Sequence, residues 1–456
     1  MRKVLYIITL LFLSVPAVLF GQGEYVTITG QAFTGRMEGA ERVREVTGNV
    51  VLRQGDVVIT CNKAIQYPER NNAHLIGNVV ARQRNVTIYT PEGYYYGNEK
   101  KAISNAGVKL DDKKVILTAR RGEYLFNKEI AYFHQDVTLF DTASTLTSDD
   151  LTYYKALDKA LAIGRVKIKD SENIIHSDTV LHFRDTKITY AVNNVKITNL
   201  RNHSVIYGDR SESYKLKKYA IVKGNARLIQ IDTTDTQEID TLLIRSLQME
   251  AFQDTANLFI AKDSVKIVRG GFASKNEYTF YDRDKGVIIT KKMQKNAPFP
   301  VIWYDSSQLT GDSVHIALDS NKIKTMTITN NAFILSQDTT YKNRYNQISG
   351  TKVIMWFNDN DLKKTDVSGN VYSIYYTFDG AKPNGLTKSS SQTAAILFVN
   401  RKVDQVKLYG APVSEYYPES LVLGKELSFT LPGYMVYTDR PTKEKVLGKI
   451  LLKQFE

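Results

Sequence analysis

The 456 residues contain one cysteine, Cys61, so no intrachain disulfide is available and stability has to come from packing and backbone pairing. After the N-terminus no apolar run is long enough to span a bilayer as a helix, so the mature chain is expected to be soluble in an exported compartment. Long blocks of like charge are missing too, although Lys+Arg exceed Asp+Glu by 61 to 48 and the net charge is +13. That balance argues against a disordered tail protein and favours acidic partners in general. There is no G-x-S-x-G element and no glycine-rich phosphate loop ahead of a helix. The six histidines are scattered. His176 and His182 sit six residues apart on one expected strand, some 20 Å, too far to share a metal. What the chain does have is 28 Tyr and 18 Phe with many Val, Ile and Thr, residues that suit a pleated, half-buried surface, so the expected fold class is all-β.

The N-terminus reads as a targeting segment. Arg2 and Lys3 precede an apolar stretch from Val4 to Phe20, interrupted by Tyr6, Thr9, Ser14 and Pro16, and Gly21 offers a cleavage position before Gln22-Gly23. Residues 1–21 are expected to be a signal peptide, with a retained single-span anchor as the alternative. No cysteine follows the run, which argues against a lipid-modified terminus.

Self-similarity is the most informative feature. Gly48-Asn49-Val50 recurs at Gly77-Asn78-Val79, then as Ala106-Gly107-Val108, Gln135-Asp136-Val137, Gly164-Arg165-Val166 and Asn193-Asn194-Val195, the six valines each 29 residues apart. A seventh copy, Gly224-Asn225-Ala226, follows after 31 residues; Asp263-Ser264-Val265, Asn330-Asn331-Ala332 and Gly369-Asn370-Val371 are looser copies, and Asn296-Ala297-Pro298 is a possible eleventh.

Positions inside the unit form columns. Val50, Val79, Val108, Val137, Val166, Val195, Ala226 and Val265 are followed two residues later by Leu52, Ala81, Leu110, Leu139, Ile168, Ile197, Leu228 and Ile267. The residue between is mostly polar, as at Lys109, Thr138, Lys167 and Lys196, which is period-2 alternation with one dry face. Ile59, Ile88, Leu117, Leu146 and Ile175 extend that dry face. A small column follows at Cys61, Thr90, Ala119, Ser148 and Ser177, suggesting a bend or close backbone approach. Next come an aromatic column, Tyr67, Tyr96, Tyr154, Phe183 and Tyr214, and an alanine column, Ala73, Ala102, Ala131, Ala160 and Ala220.

Each unit therefore reads as two strands joined by polar turns such as Arg53-Gln54-Gly55-Asp56. One unit cannot bury its apolar face alone, so neighbours must stack, and some eleven units would extend on the order of 100 Å. The expected organisation is regular repeats over 22–230, a looser continuation over 231–380, and a divergent C-terminal β cap over 381–456. The stretches Asp232–Asp240, Lys291–Pro300 and Gly380–Gln392 are expected to be loops or junctions.

The strand Gly48-Asn49-Val50-Val51-Leu52-Arg53-Gln54-Gly55, followed by Val57-Val58-Ile59-Thr60-Cys61-Asn62-Lys63-Ala64, resembles the OstA/LptA family of lipopolysaccharide-transport proteins, in its long Bacteroidetes-type form. Gly77 to Thr90, Ser148-Asp149, Ser177-Asp178 and Gly208-Asp209 fit the same template. The resemblance implies an elongated, V-shaped β-jellyroll in the periplasm. It also implies a non-enzymatic role without cofactor, passing lipopolysaccharide between inner and outer membrane, with possible outer-membrane association. Its partners would be lipid A acyl chains and other jellyroll proteins joined by edge-strand pairing, not nucleic acid. Val50, Leu52, Ile59, Val79, Ala81, Ile88, Val108, Leu110, Leu117, Val137, Leu139, Leu146, Val166, Ile168, Ile175, Val195 and Ile197 would then contact lipid, with the aromatic column beside them.

Physics supports that reading without requiring it. A 14-carbon acyl chain in water costs roughly 10 kcal/mol at about 0.8 kcal/mol per methylene, so carrying one between membranes needs an apolar surface. The same ladders would equally close a filled core in a structural or adhesive β-solenoid. A third reading, a solenoid polysaccharide-degrading enzyme, rests on Asp149, Asp178, Asp209 and Asp312. The equivalent positions hold Asn62, Pro91 and Arg120, so a bend or turn role fits these aspartates better than acid/base chemistry. Short triplets at Asp141-Thr142-Ala143, Asp178-Thr179-Val180, Asp254-Thr255-Ala256 and Asp263-Ser264-Val265 resemble a Bacteroidetes O-glycosylation motif, a pattern short enough to recur by chance.

Overall fold

A computed structural model of the chain describes residues 25–233, 239–253, 257–319, 322–400 and 402–448. The expected signal peptide and the Asp254-Thr255-Ala256 triplet lie outside them. The described residues are almost entirely β, and the chain divides into two compact units: residues up to Lys113 together with Arg120–Glu129, and Lys114–Ala119 together with Ile130 onward.

In the first unit β1 (Thr27–Thr29) and β2 (Ala32–Glu38) both pair with β3 (Glu41–Gln54). An antiparallel meander then runs through β4 (Val57–Tyr67), β5 (Asn72–Gln83) and β6 (Val86–Tyr96), and β6 is flanked by β7 (Lys101–Ser104) and β8 (Val108–Asp111). The chain passes through β9 (Ile116–Ala119), which belongs to the second unit, before β10 (Arg121–Leu125) returns to the first and pairs with β7. In the second unit β9 pairs with β11 (Ile130–Phe140). The meander resumes through β12 (Thr145–Tyr154), β13 (Lys159–Lys169), β14 (Asn173–Phe183), β15 (Ile188–Asn199), β16 (Ser204–Tyr214), β17 (Tyr219–Thr233), β18 (Ile239–Phe252), β19 (Leu258–Arg269) and β20 (Phe272–Asp282). Four short strands, β21 (Val287–Lys291), β22 (Val301–Tyr304), β23 (Ser307–Thr310) and β24 (Ser313–Asp319), lead into the long strands β25 (Lys322–Gln337), β26 (Tyr345–Asn358), β27 (Asp361–Asp379) and β28 (Lys382–Val399). Finally β29 (Lys402–Tyr409) and β30 (Val413–Pro418) both pair with β28.

The repeating triplet is a bulge. Gly48 and Asn49 both take left-handed φ, +76° and +49°, and the β3–β4 register jumps between Thr47 and Val50. Glycine and asparagine tolerate that region best, which is why they recur there. Paired left-handed residues with a register jump also occur at 77/78, 135/136, 164/165, 193/194, 224/225, 263/264, 330/331 and 369/370. Asn296 has no left-handed φ and lies in a loop, so the possible eleventh copy is not one. Gly410 and Ala411, at +76° and +51°, form a further left-handed pair outside the Gly-Asn-Val triplets. The third copy also departs from the pattern, because only Gly107 is left-handed and the strand breaks there into β7 and β8.

On the partner strand the bulge shifts the alternation by one residue. Along β4 the buried positions are Val57, Ile59 and Cys61, then Ala64 and Gln66. The small column marks that slip, and its hydroxyls serve the carbonyl freed at the bend. Thr90 Oγ1 donates to the Glu92 carbonyl (2.8 Å), Ser148 to Asp150 (2.9 Å), Ser177 to Thr179 (3.2 Å), Ser246 to Gln248 (2.9 Å) and Ser391 to Thr393 (3.0 Å). Cys61 makes the same contact with Lys63 at 3.2 Å, and burial pushes its thiol up to about 11, so it packs as a neutral side chain.

Two further sequence expectations are corrected. The stretch Gly380–Gln392, expected as a loop on its Gly, Ser, Lys and Pro content, is strand from Lys382 because β27 and β30 pair on its two sides. From Glu419 the chain leaves the sheet and runs back across it as a strap, so the expected C-terminal β cap is β only as far as Pro418. Arg344, 1% exposed, donates to Glu419 at 2.5 Å and to Glu426. Gln347 bonds Phe429 and Leu431, Gln308 bonds Met435 and Tyr437, and Arg440 donates to the carbonyls of Asp305 and Gly271. A short helix, α1 (Lys443–Leu447), ends the strap, and its Val446 and Leu447 pack against Ile229, Leu243, Val268, Ala273, Val301 and Trp303.

Candidate apolar binding site

The cross-strand register turns the dry column into ladders. In the first unit Leu52, Ile59, Ala81, Ile88 and Leu110 stand opposite one another in succession. All five are buried, as are Val50, Val79 and Val108. In the second unit ten apolar side chains follow one another: Leu117, Leu139, Leu146, Ile168, Ile175, Ile197, Ile206, Leu228, Ile244 and Ile267. Nine strand steps at about 4.8 Å make this ladder roughly 43 Å long.

Burial along the second ladder is not uniform. Leu117, Leu139 and Leu146 are closed off from solvent, with Val137, Val166 and Val195 beside them, and Leu228 and Ile244 are closed again further on. Between them Ile168, Ile175, Ile197 and Ile206 are all partly exposed, a window of four isoleucines on β13 to β16. Isoleucine is normally among the most buried residues, so four in one row is informative. A change elsewhere on these strands accompanies the window. Tyr95, Tyr124 and Tyr153, 29 residues apart, are buried on the inward face. Tyr95 and Tyr153 each stand between two alanines, Ala73 and Ala102, or Ala131 and Ala160. The next members of that column are His182, on β14, and Ser213, on β16, whose smaller side chains fill less of the interior.

His182 donates to or accepts from Thr189 Oγ1 through Nδ1 at 2.9 Å. Burial lowers its pKa to about 4, reinforced by Lys187, Arg184 and Lys215 and opposed by Asp141. The ring is therefore neutral at pH 7.

The aromatic column stands apart from the interior, because the one-residue slip faces it outward. Tyr67, Tyr96, Tyr154, Phe183 and Tyr214 are all partly exposed. Arg70, Lys101, Lys159 and Lys217 sit over the Tyr67, Tyr96, Tyr154 and Tyr214 rings at 5.8, 5.1, 4.4 and 5.7 Å. The inward Tyr95–Tyr124–Tyr153 column was legible as a 29-residue spacing but lies one position before the column that alternation selects.

The recurrent aspartates serve the bulges. Arg165 Nε donates to Asp149 at 3.0 Å, Asn194 Nδ2 to Asp178 at 2.8 Å, and Asn225 and Asn331 to Asp209 and Asp312 at 3.3 Å each. A carboxylate committed to a neighbouring bulge is a structural group. Among the described residues no three of His, Cys, Asp and Glu are grouped as metal ligands would be, and no helix is long and apolar enough to cross a membrane.

These features define a class: an all-β repeat protein whose distinctive surface is apolar. Residues 29–178 match the family model described as OstA-like protein, which bears out the resemblance of the Gly-Asn-Val strands over that segment. No curated protein matches the chain. Among solved structures, one similar chain is LptH of Pseudomonas aeruginosa, described as the LptA-homologous periplasmic component of the lipopolysaccharide transport device. It is 16% identical, covers 35% of this chain and 91% of its own length, and has a TM-score of 0.20.

Proposed function

We propose that this protein is a periplasmic, non-enzymatic lipopolysaccharide-binding and transfer protein that bridges inner and outer membrane during outer-membrane biogenesis. The observation that carries the reading is the isoleucine window, where an otherwise closed apolar ladder meets solvent over four adjacent strands. About 14 Å of such surface shields part of one acyl chain, at about 0.8 kcal/mol per methylene removed from water. The OstA-like segment over residues 29–178 supports the same substrate class. Lipid contact is accordingly assigned to Ile168, Ile175, Ile197 and Ile206 rather than to the whole dry column, whose other members pack on protein. Exchange with other jellyroll proteins would use strand edges, and β1, β2, β29 and β30 each pair with one neighbour among the described residues.

A photoreactive side chain at Ile168 or Ile197 should capture lipopolysaccharide in cells, while one at Thr138, on the opposite face, should not. Mass spectrometry of the purified protein should find acylated glycolipid. Equal capture at all three positions, or none with normal folding, would return the reading to a structural solenoid.

A further inference from the structure

On the face opposite the apolar ladder, cross-strand pairing lines up cations. Lys167 stands opposite His176, then follow Lys196, Tyr207, Arg227, Arg245, Lys266 and Lys275, one residue on each strand from β13 to β20. Seven strand steps make the row about 34 Å long. Like charges directly opposite on neighbouring strands are destabilising, and Arg227, Arg245, Lys266 and Lys275 make three such pairs in succession, which a sheet selected for stability alone avoids, while His176 and Tyr207 space Lys167 and Lys196 along the same row. Among the described residues no ion pair engages Lys167, Lys196 or Arg227, and Arg227 Nε is buried without a hydrogen-bond partner. Asp209 is the acid that acts on Arg227.

The far end of this row already holds an extended segment of polypeptide, the strap. Lys275 pairs with the Asp439 carboxylate, on which Lys266 also acts, and Arg245 Nη1 donates to the Lys445 carbonyl at 3.3 Å. Val446 and Leu447 fill the neighbouring row, Ile229, Leu243, Val268 and Ala273, which runs parallel to the cations two residues along each strand. Both rows continue past the point where Gly448 comes near Arg227. The cation row goes on to Lys196, His176 and Lys167, and the neighbouring row to Val205, Thr198 and Ile174.

We propose that Lys167, His176, Lys196 and Arg227 form a docking track for an acidic, extended polypeptide segment of a partner protein, continuing the path of the strap. The occupant is read from the part already seated: carboxylates and carbonyls over the cations, aliphatic side chains over the row beside them. A segment alternating Asp with Val or Leu presents both on a period of two. The proposal does not depend on lipid transfer, because it uses the opposite face of the sheet.

The test uses a fluorescein-labelled peptide of six Asp-Val repeats and the whole mature chain, with anisotropy as readout. Binding should weaken with salt, and K167E/K196E should weaken it at least tenfold. Lys109→Glu, in the same column but in the first unit, should leave it unchanged. The melting temperature of the double variant should stay level, because each lysine faces His176 or Tyr207 across the sheet and neither takes part in an ion pair among the described residues. If K167E/K196E fails to fold, K167Q/K196Q replaces it with the same expected weakening. No peptide binding, equal binding of a Ser-Val peptide, or loss in the variants of binding to phosphatidylglycerol vesicles with none to the peptide would each overturn the proposal, the last in favour of a membrane contact.

Discussion

Placing a carboxylate at two positions of one ladder separates closed core from open window. Leu139 is 3% exposed and stands between Leu117 and Leu146. Leu139→Asp forfeits about 2–3 kcal/mol of apolar burial and confines a carboxyl group with no partner, which adds several kcal/mol or forces it neutral. A total of about 5 kcal/mol is comparable to the whole stability of many domains. Ile197, between Ile175 and Ile206, already meets solvent. Ile197→Asp should cost only about 1–2 kcal/mol, because less burial is lost and water reaches the carboxylate. Urea unfolding followed by circular dichroism measures both. Lipid retained on the purified protein should then fall at least tenfold in Ile197→Asp, which remains folded, since a charge against acyl methylenes removes about 1.4 kcal/mol or more. Equal destabilisation at the two sites would show that the window is closed, and undiminished lipid in a folded Ile197→Asp would show that lipid binds elsewhere.

Further outcomes follow from individual contacts. His182 is held neutral with a pKa near 4 against an ordinary 6.5, so the unfolded chain takes up a proton that the folded chain refuses as pH falls. Stability should be full above pH 6.5 and decline by up to about 3 kcal/mol towards pH 4, a slope that His182→Gln should flatten in pH-resolved denaturation. Ser148→Ala and Ser177→Ala should each cost about 1 kcal/mol by leaving the bend carbonyl unserved, while Ser148→Cys should cost less because Cys61 makes the same contact. Arg344→Met should cost about 3–5 kcal/mol by stranding Glu419 and Glu426, and limited proteolysis should then cut within 419–448 while the strands stay protected. Asn225→Val, a β-branched residue at φ +46°, should cost about 1–2 kcal/mol in the same unfolding assay.

How much was legible in the sequence differs from feature to feature. The 29-residue spacing of Val50 to Val195 and the alternation through Leu52, Leu110 and Ile168 established repeated antiparallel strands with one dry face, because side-chain direction along a strand follows from period two alone. The small column at Cys61, Ser148 and Ser177 marked the bend, since a short hydroxyl or thiol beside a freed carbonyl is a local device. Local pattern stops at the bend. The one-residue slip there sends Tyr95 and Tyr153 inward and Tyr96 and Tyr154 outward, and continuous alternation cannot register it. The serine-rich stretch 382–392 became strand because β27 and β30 were there to pair with it, and the strap found its place through Arg344 and Val446, contacts between residues far apart in sequence. Which isoleucines meet solvent and which cations stand opposite one another depend on the neighbour across the sheet, and that neighbour is chosen by the pairing register of the assembled strands.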